Sequence, residues 1–205
     1  MNSLLNGLNF VIRLGIRNDF PYQLKRQIYL TNSMSLIFVC LTLIFLFIRI
    51  AFFGKSIFAS SDYAIILVMY LSPIILNSLH LNTASRILLC TIPVLVVFYQ
   101  FITPLKILTP VEPTMYDGAR LYLIGFGIIP YLIFDHKNVW LLLLGILPAL
   151  VSILFFDEIM TFAGVGYKQL GLSGKDYPVM WLRTLITYGG ISAMCFSANK
   201  YGDKK

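Results

Sequence analysis

Three arginines interrupt otherwise apolar stretches of the sequence, at Arg49, Arg120 and Arg183. A guanidinium group inside an apolar segment is costly unless it reaches the polar edge of that segment or pairs with an acid. In a first interpretation, the three arginines are anchors that pair with carboxylates close to them. The carboxylates available for such pairs are Asp117, Asp157 and Glu158.

In a second interpretation, the same arginines line a small pocket for an anionic or polar ligand, with aromatic walls. The aromatic residues considered for these walls are Tyr63, Tyr122, Tyr177 and Trp181. The candidate ligand-binding residues are Arg49, Asp117, Arg120, Tyr122, Trp181 and Arg183. Tyrosine and tryptophan are also common at membrane interfaces, so the sequence leaves both interpretations open.

The glycine-rich stretch 164–175 contains two partial catalytic motifs. It ends in Gly-Lys, but Lys175 is followed by Asp176 and not by the serine or threonine of a phosphate-binding loop. It also contains Gly171-Leu-Ser-Gly174, which is similar to the nucleophile motif of rhomboid proteases, yet no histidine follows Ser173 to act as its base. We therefore expect a protein that is not an enzyme.

Metal and cofactor sites are not indicated either. The two histidines, His80 and His136, both lie at the predicted cytoplasmic ends of apolar stretches, where they could approach each other, and we interpret them as solvated or interfacial loop residues. The cysteines at positions 40, 90 and 195 are far apart, which predicts buried free thiols. The last apolar stretch lacks the central lysine that a retinal Schiff base requires. We expect no metal and no cofactor.

Long apolar segments must position these residues. Of the 205 residues, 58% are hydrophobic and 12% are charged, which leaves too little polar surface for a water-soluble domain. Six segments have roughly the length and composition of a membrane-spanning helix. They run over 28–53, 63–79, 84–102, 115–134, 139–156 and 179–199. The sequence predicts an all-α polytopic membrane bundle of about six transmembrane helices.

Five spans is the alternative count. The second segment is short, and the fourth reaches full length only if it includes Asp117 and Arg120. These two residues stand one helical turn apart and could pair on one face. Prolines at 73, 93, 130 and 148 lie inside four consecutive segments and predict kinks.

Basic residues are distributed unequally between the two sides of the predicted bundle. With six spans, the side that holds both termini carries nine lysines and arginines against three acids, and the other side carries seven against six. Because cytoplasmic loops are enriched in basic residues, both termini are predicted to be cytoplasmic. The net charge of +7 thus reflects topology, and we expect no nucleic-acid partner.

We interpret the chain as one domain with a leader and a tail. Residues 1–27 form a leader in which apolar residues recur at helical spacing beside Arg13 and Arg17, as expected of an amphipathic helix at the cytoplasmic membrane interface. The recurring apolar residues are Leu4, Leu8, Val11, Ile12 and Ile16. Residues 28–199 form the six-helix transmembrane domain, and residues 200–205 form a cytoplasmic tail.

Three stretches together resemble a bacterial sensor module: Gly15-Ile-Arg17 followed by residues 20–32, then residues 76–86, and residues 134–140. They are similar to the six-span amino-terminal regions that precede histidine kinase, nucleotide cyclase or DNA-binding output domains. The resemblance implies a multi-pass protein of the bacterial inner membrane. It also implies a cytoplasmic kinase or cyclase output domain as a partner, besides the lipid bilayer.

The leading hypothesis is a non-catalytic sensory or signal-transducing module that forms a homodimer. A cue on the outer side or within the membrane would select between two packings of the kinked helices, and residues 199–205 would transmit the change to the cytoplasm. The alternative is a small transporter or channel subunit, whose path would follow the kinked helices and the outer charged residues.

Overall fold

The computed structural model describes residues 2–53, 60–107, 113–135, 137–172 and 177–202, and every regular element within these ranges is a helix. The helices are α1 (Asn2–Ile12), α2 (Tyr22–Phe53), α3 (Ser60–Ser78), α4 (Asn82–Ile107), α5 (Pro113–Phe126), α6 (Ile129–Ile133), α7 (Val139–Leu154), α8 (Phe156–Phe162) and α9 (Tyr177–Gly202). The all-α prediction is confirmed.

Each of the six predicted apolar segments falls on a helix, although the fourth is divided into α5 and the five-residue α6. Within the described ranges, two helices are long and apolar enough to cross a membrane, over Tyr22–Ile48 and Asn82–Ile107. The α7–α8 pair is a third candidate if its 69° bend lies within one span. Length and composition therefore give two or three spans, and the count of six stays a prediction.

The chain divides into two compact units, an N-terminal unit (Met1–Ile92) and a C-terminal unit (Pro93–Lys205). In the N-terminal unit, α2 packs along α3, and α1 packs against α2. In the C-terminal unit, α9 packs against α5, α6 and α7, and α8 packs against α7.

The second half of α2 exposes a band of large apolar side chains. Its members are Ile37, Leu41, Leu43, Ile44, Phe45, Phe47, Ile48 and Ile50. Because apolar surface costs about 25 cal/mol for each Å² exposed to water, a band of this kind favours a lipid environment. Cys40 is exposed on the same part of α2, so its prediction as a buried thiol was wrong, whereas Cys90 is buried as predicted.

The leader at 1–27 contains α1, a turn and the start of α2, which begins at Tyr22. α1 buries Ile12, whereas Leu8 and Phe10 are 46% and 69% exposed. α1 thus packs on the protein through Ile12 and exposes large apolar side chains, which suits a helix at a membrane interface. This is the position that the sequence predicts for the leader.

Two buried asparagine amides join α1, α2 and α3. Nδ2 of Asn32 donates to the carbonyl oxygens of Ile12 (3.0 Å) and Leu14 (2.9 Å), at the end of α1 where helix carbonyls lack intrahelical donors. Nδ2 of Asn77 donates to Oδ1 of Asn32 at 2.7 Å. Both asparagines are fully buried. Because a buried amide must keep its hydrogen bonds, this network fixes α1 on α2 and α3.

The proline inside α3 is accommodated by two serine hydroxyls. Pro73 lacks the N–H that would bond the carbonyl of Met69, four residues earlier. The hydroxyl of Ser72 donates to that carbonyl at 2.6 Å, and the buried hydroxyl of Ser85 donates to the carbonyl of Pro73 at 2.7 Å. Side chains thus satisfy backbone groups at the predicted kink.

The other three prolines occupy different helix positions. Pro93 and Pro148 lie inside α4 and α7, as predicted. Pro130 lies instead in the first turn of α6, where a missing N–H costs no intrahelical hydrogen bond. The helix therefore breaks before Pro130, and the predicted fourth segment becomes two helices.

Gly15 follows α1 with a φ of +84°, and its backbone lies against the carbonyl of Asn77. A Cβ at this position would lie 2.1 Å from that oxygen, in a conformation that is strained for an L-residue. We predict that Gly15→Ala lowers the free energy of unfolding by about 2–4 kcal/mol, measured by denaturant unfolding in detergent micelles.

Gly7→Ala is the matched control for this substitution, because an added Cβ at Gly7 in α1 meets open space. It should be neutral or stabilise the protein by about 0.5–1 kcal/mol. Equal stabilities of the two variants would contradict the close approach of Gly15 to Asn77.

Candidate functional site

The core of the C-terminal unit is aromatic and encloses an arginine. Its buried members include Phe98, Leu123, Ile153, Met160, Val165 and Tyr188. The ring of Tyr116 meets Phe156 and Tyr167 edge to face, with centroids 5.4 and 5.5 Å apart. Edge-to-face contacts of this kind favour one ring arrangement over others. Charged groups that enter this core therefore meet a defined environment.

Arg120 enters the core because of its position on α5. Tyr116, Ala119 and Leu123 are fully buried and lie on one face of the helix. Arg120 follows Tyr116 by four residues and precedes Leu123 by three, so it shares that face. Its side chain is 3% exposed. The register of α5 thus places a cation among apolar side chains.

Asp157 meets Arg120 from α8, which follows the sharp bend after α7. Nη2 of Arg120 donates to both carboxylate oxygens of Asp157, at 2.9 and 3.0 Å. The hydroxyl of Tyr116 donates to Oδ1 of the same carboxylate at 2.9 Å. Three hydrogen bonds from a cation and a phenol stabilise the charged form of a carboxylate. We therefore assign Asp157 as an anion paired with Arg120.

Two aromatic rings flank the guanidinium group. Cζ of Arg120 lies 4.8 Å from the ring centroid of Phe156 and 6.0 Å from that of Tyr116. A cation near a ring face is attracted by the ring quadrupole, and more strongly when water is excluded. The rings therefore lower the cost of burying Arg120.

A second carboxylate also faces Arg120. Oδ1 of Asp117 lies 3.8 Å from Nη1 of Arg120, which is the pair one turn apart that the sequence suggested. At this distance the two groups attract each other without a hydrogen bond. Both oxygens of Asp117 are buried and lack a hydrogen-bond partner among the residues that the structure describes. One guanidinium is therefore shared by two carboxylates with unequal contacts.

The remaining candidate ligand-binding residues lie away from Arg120 or have side chains outside the described residues. Tyr122 is 47% exposed, and its ring lies 5.7 Å from that of Phe101. Arg183 is exposed on α9. The side chains of Arg49, Tyr177 and Trp181 fall outside the described residues. The ligand pocket therefore stays a prediction, whereas pairing of Arg120 with acids is observed.

Three aromatic residues of the site were not predicted from the sequence. Tyr116 lies one helical turn before Arg120, and Phe156 directly precedes Asp157. An aromatic residue this close in sequence to a charged one was the signal that could have indicated both. Tyr167 comes from the turn after α8, and only folding brings it against Tyr116. We call Tyr116, Asp117, Arg120, Phe156 and Asp157 the Arg120 cluster.

A second buried arginine, also not predicted, lies in the N-terminal unit. Arg86 is 7% exposed and donates from Nη1 to Oε1 of Gln27, and from Nε to the carbonyl of Asn82 at 3.1 Å. Tyr63, considered as an aromatic wall, is buried in this unit as well. Arg86 thus hydrogen-bonds neutral oxygens, whereas two carboxylates face Arg120.

The Arg120 cluster is suited to holding helices together and to responding to charge. Across the described ranges, no group of three or more His, Cys, Asp and Glu is placed to hold a metal ion. The cluster contains a guanidinium, two carboxylates and a phenol, which offer charge pairing and proton exchange. Its geometry joins α5 to α8 and depends on the charges of its members.

We predict that Asp157→Ala lowers the free energy of unfolding by about 2–4 kcal/mol, because Arg120 and Tyr116 both lose a partner. Glu158→Ala removes an exposed carboxylate from the next position of α8 and should cost less than about 0.5 kcal/mol. Denaturant unfolding in bicelles, followed by circular dichroism, measures both. Similar losses for the two variants would show that the ion pair does not hold α5 to α8.

Comparison with protein-family models, with curated proteins and with solved structures finds no match to this chain. The resemblance to bacterial sensor modules therefore stays a prediction from the sequence. The functional inference depends on the contacts of the chain itself.

Proposed function

We propose that the chain is a non-catalytic sensory module of a bacterial inner membrane, in which the Arg120 cluster converts an outer-side cue into a displacement of α9. The observation that carries this proposal is the ion pair between the buried Arg120 and the partly buried Asp157. It joins α5 to α8 within the same core that holds α9.

An ion pair that contains a buried charge has two states, one with the charges in contact and one with a charge left without its partner. While both charges are present and in contact, their attraction offsets the cost of removing them from water. If one charge is neutralised or takes another partner, the buried charge left behind costs about 3–5 kcal/mol. Conformations of switching proteins commonly differ by a few kcal/mol, so such a change is sufficient to favour another packing of α5 against α8.

The end of α5 contacts α9. Tyr188 of α9 is 5% exposed, and a Cβ on Gly127 would lie 2.3 Å from its ring. Gly127 lies at the break between α5 and α6, so the ring of Tyr188 occupies the space that a side chain there would fill. Movement of the end of α5 therefore presses on α9 directly.

α9 is a single long helix from Tyr177 to Gly202. At a rise of 1.5 Å per residue its 26 residues extend over about 39 Å, close to the full thickness of a bilayer. A continuous helix of this length transmits a displacement from one end to the other. In the proposed topology its C-terminal end lies at the cytoplasmic face.

Membrane insertion is part of the proposal, with six spans and both termini in the cytoplasm. It is supported by the exposed apolar band of α2 and by the two or three helices that are long enough to cross a bilayer. We propose that two copies associate, so that displacement of α9 is read by the partner copy and by a cytoplasmic kinase or cyclase output domain.

Disulfide cross-linking along Ser197–Gly202 tests the proposed coupling. In a chain whose three cysteines are replaced by serine, single cysteines are introduced at each of these positions, and cross-linking between copies is measured in native membranes. We predict that Asp157→Asn, which removes one charge of the pair, changes the positions of maximal cross-linking. Glu158→Gln, at the adjacent exposed position, should leave them unchanged. An identical pattern in both variants would contradict the proposal.

A second test addresses the contact between Gly127 and Tyr188. We predict that Gly127→Ala shifts the same cross-linking pattern, because the added methyl group displaces the Tyr188 ring. Gly125→Ala is the matched control, since a Cβ at Gly125, near the end of α5, meets open space. If the two variants gave the same pattern, α9 would not be coupled to α5 through Tyr188.

Liposome flux separates this proposal from the transporter or channel alternative. A sensory module should show no ion or solute flux above empty liposomes. Flux that Arg120→Ala reduces would favour the alternative.

A further inference from the structure

We infer that the Arg120 cluster is a proton-binding site in which Asp117 takes up and releases the proton. The inference deepens the proposed function by naming the cue, and its link to α9 rests on that function. The proton site itself rests on charge balance, unequal hydrogen bonding and the helices to which the two acids belong.

Charge balance is the first observation. Asp117 and Asp157 both face Arg120, so two partly buried carboxylates share one buried guanidinium. With both acids ionised the cluster holds one excess negative charge. An uncompensated buried charge is expensive, and like charges near each other disfavour simultaneous ionisation. Uptake of a single proton makes the cluster neutral.

Hydrogen bonding decides which acid accepts the proton. Asp157 receives two hydrogen bonds from Arg120 and one from Tyr116, all at 2.9–3.0 Å. Asp117 has its attraction to Nη1 of Arg120 at 3.8 Å, and no described residue donates a hydrogen bond to it. Because hydrogen-bond donors stabilise a carboxylate anion, Asp117, which lacks them, is the acid that accepts the proton.

The charged groups around Asp117 come from few elements. Arg120 lies on its own helix, and Asp157 faces it from α8. α7 contains no charged residue. The other charged side chains described near this core from α4, α8, the following turn and α9 are exposed, namely Lys106, Glu158, Lys168 and Arg183. The proton balance of the cluster therefore depends on Arg120 and Asp157.

Exposure separates the two acids from the cation. The side chains of Asp117 and Asp157 are 21% and 31% exposed, whereas that of Arg120 is 3% exposed. Both carboxylate oxygens of Asp117 are nevertheless buried, so proton uptake requires a local opening at Asp117.

The consequence follows from the helices on which the two acids lie. Asp117 and Arg120 are both on α5, whereas Asp157 is on α8. When Asp117 is ionised, it draws Arg120 toward its own helix and weakens the link to α8. When Asp117 is protonated, Arg120 pairs with Asp157 alone. Acid therefore tightens α5 on α8, and alkali loosens it.

Infrared difference spectroscopy of the full chain in nanodiscs tests the proton site directly. Protein labelled with ¹³C at its aspartate carboxyl groups is titrated with acid, and the isotope-shifted C=O band of a protonated aspartic acid is followed. The six other aspartates also titrate and are common to all the variants, so the test is a difference between variants. We expect one component of the titrating band to be lost in Asp117→Asn and retained in Glu158→Gln. Titrating bands that are equal in the wild type and in Asp117→Asn would overturn the inference.

Asp117→Glu provides a second variant that keeps a carboxyl group at this position if Asp117→Asn does not fold. Its unlabelled glutamate should move the same component of the titrating band out of the isotope-shifted range, and a band of undiminished intensity in that range would overturn the assignment. Cross-linking of Ser197–Gly202 against pH then tests the link to α9. If the band titrates through Asp117 but the pattern does not change with pH, the proton site stands and the proposed function fails. If the pattern changes while the band does not depend on Asp117, the reverse holds.

Discussion

A polar group enclosed by apolar helices must find its partner within the protein, and this constraint determines where the helices of this chain meet. The amide of Asn32 donates hydrogen bonds to carbonyl oxygens at the end of α1, and the hydroxyl of Ser85 donates to a carbonyl oxygen of α3. Arg120 on α5 finds Asp157 on α8. In lipid, van der Waals packing brings the helices together, but many arrangements can pack. The polar pairs select one arrangement among those that packing permits.

The two units satisfy the constraint with different chemistry. In the N-terminal unit the junction of α1, α2 and α3 is made by Asn32 and Asn77, whose amides stay neutral at any physiological pH. In the C-terminal unit the junction of α5 and α8 is made by ions. A neutral junction has one state, whereas a charged junction changes when a charge is removed. Under the proposed function, the C-terminal unit is therefore the one that responds, although the N-terminal unit also contains a buried charge at Arg86.

The sequence predicted what depends on distance along the chain and missed what depends on folding. The helical character of the apolar segments and the Asp117–Arg120 pair follow from helix geometry, and both are observed. Asp157 was one of three acids considered for the arginines, and only folding selects it, since it lies 37 residues from Arg120. Pro130 was interpreted as a kink, but it lies in the first turn of a separate helix. The bend at Phe155 has no proline or glycine to indicate it.

The presence of two acids beside one buried arginine argues against a purely static anchor. An anchor needs one carboxylate, and Asp157 already supplies it with two hydrogen bonds to Arg120. Asp117 adds a second negative charge without a described hydrogen bond, so it costs free energy while ionised and contributes little to cohesion. Its position on the same helix as Arg120 makes it a competitor of the contact between helices. In the proton site proposed above, uptake of a proton by this competitor gives the junction two states that a single acid would not provide.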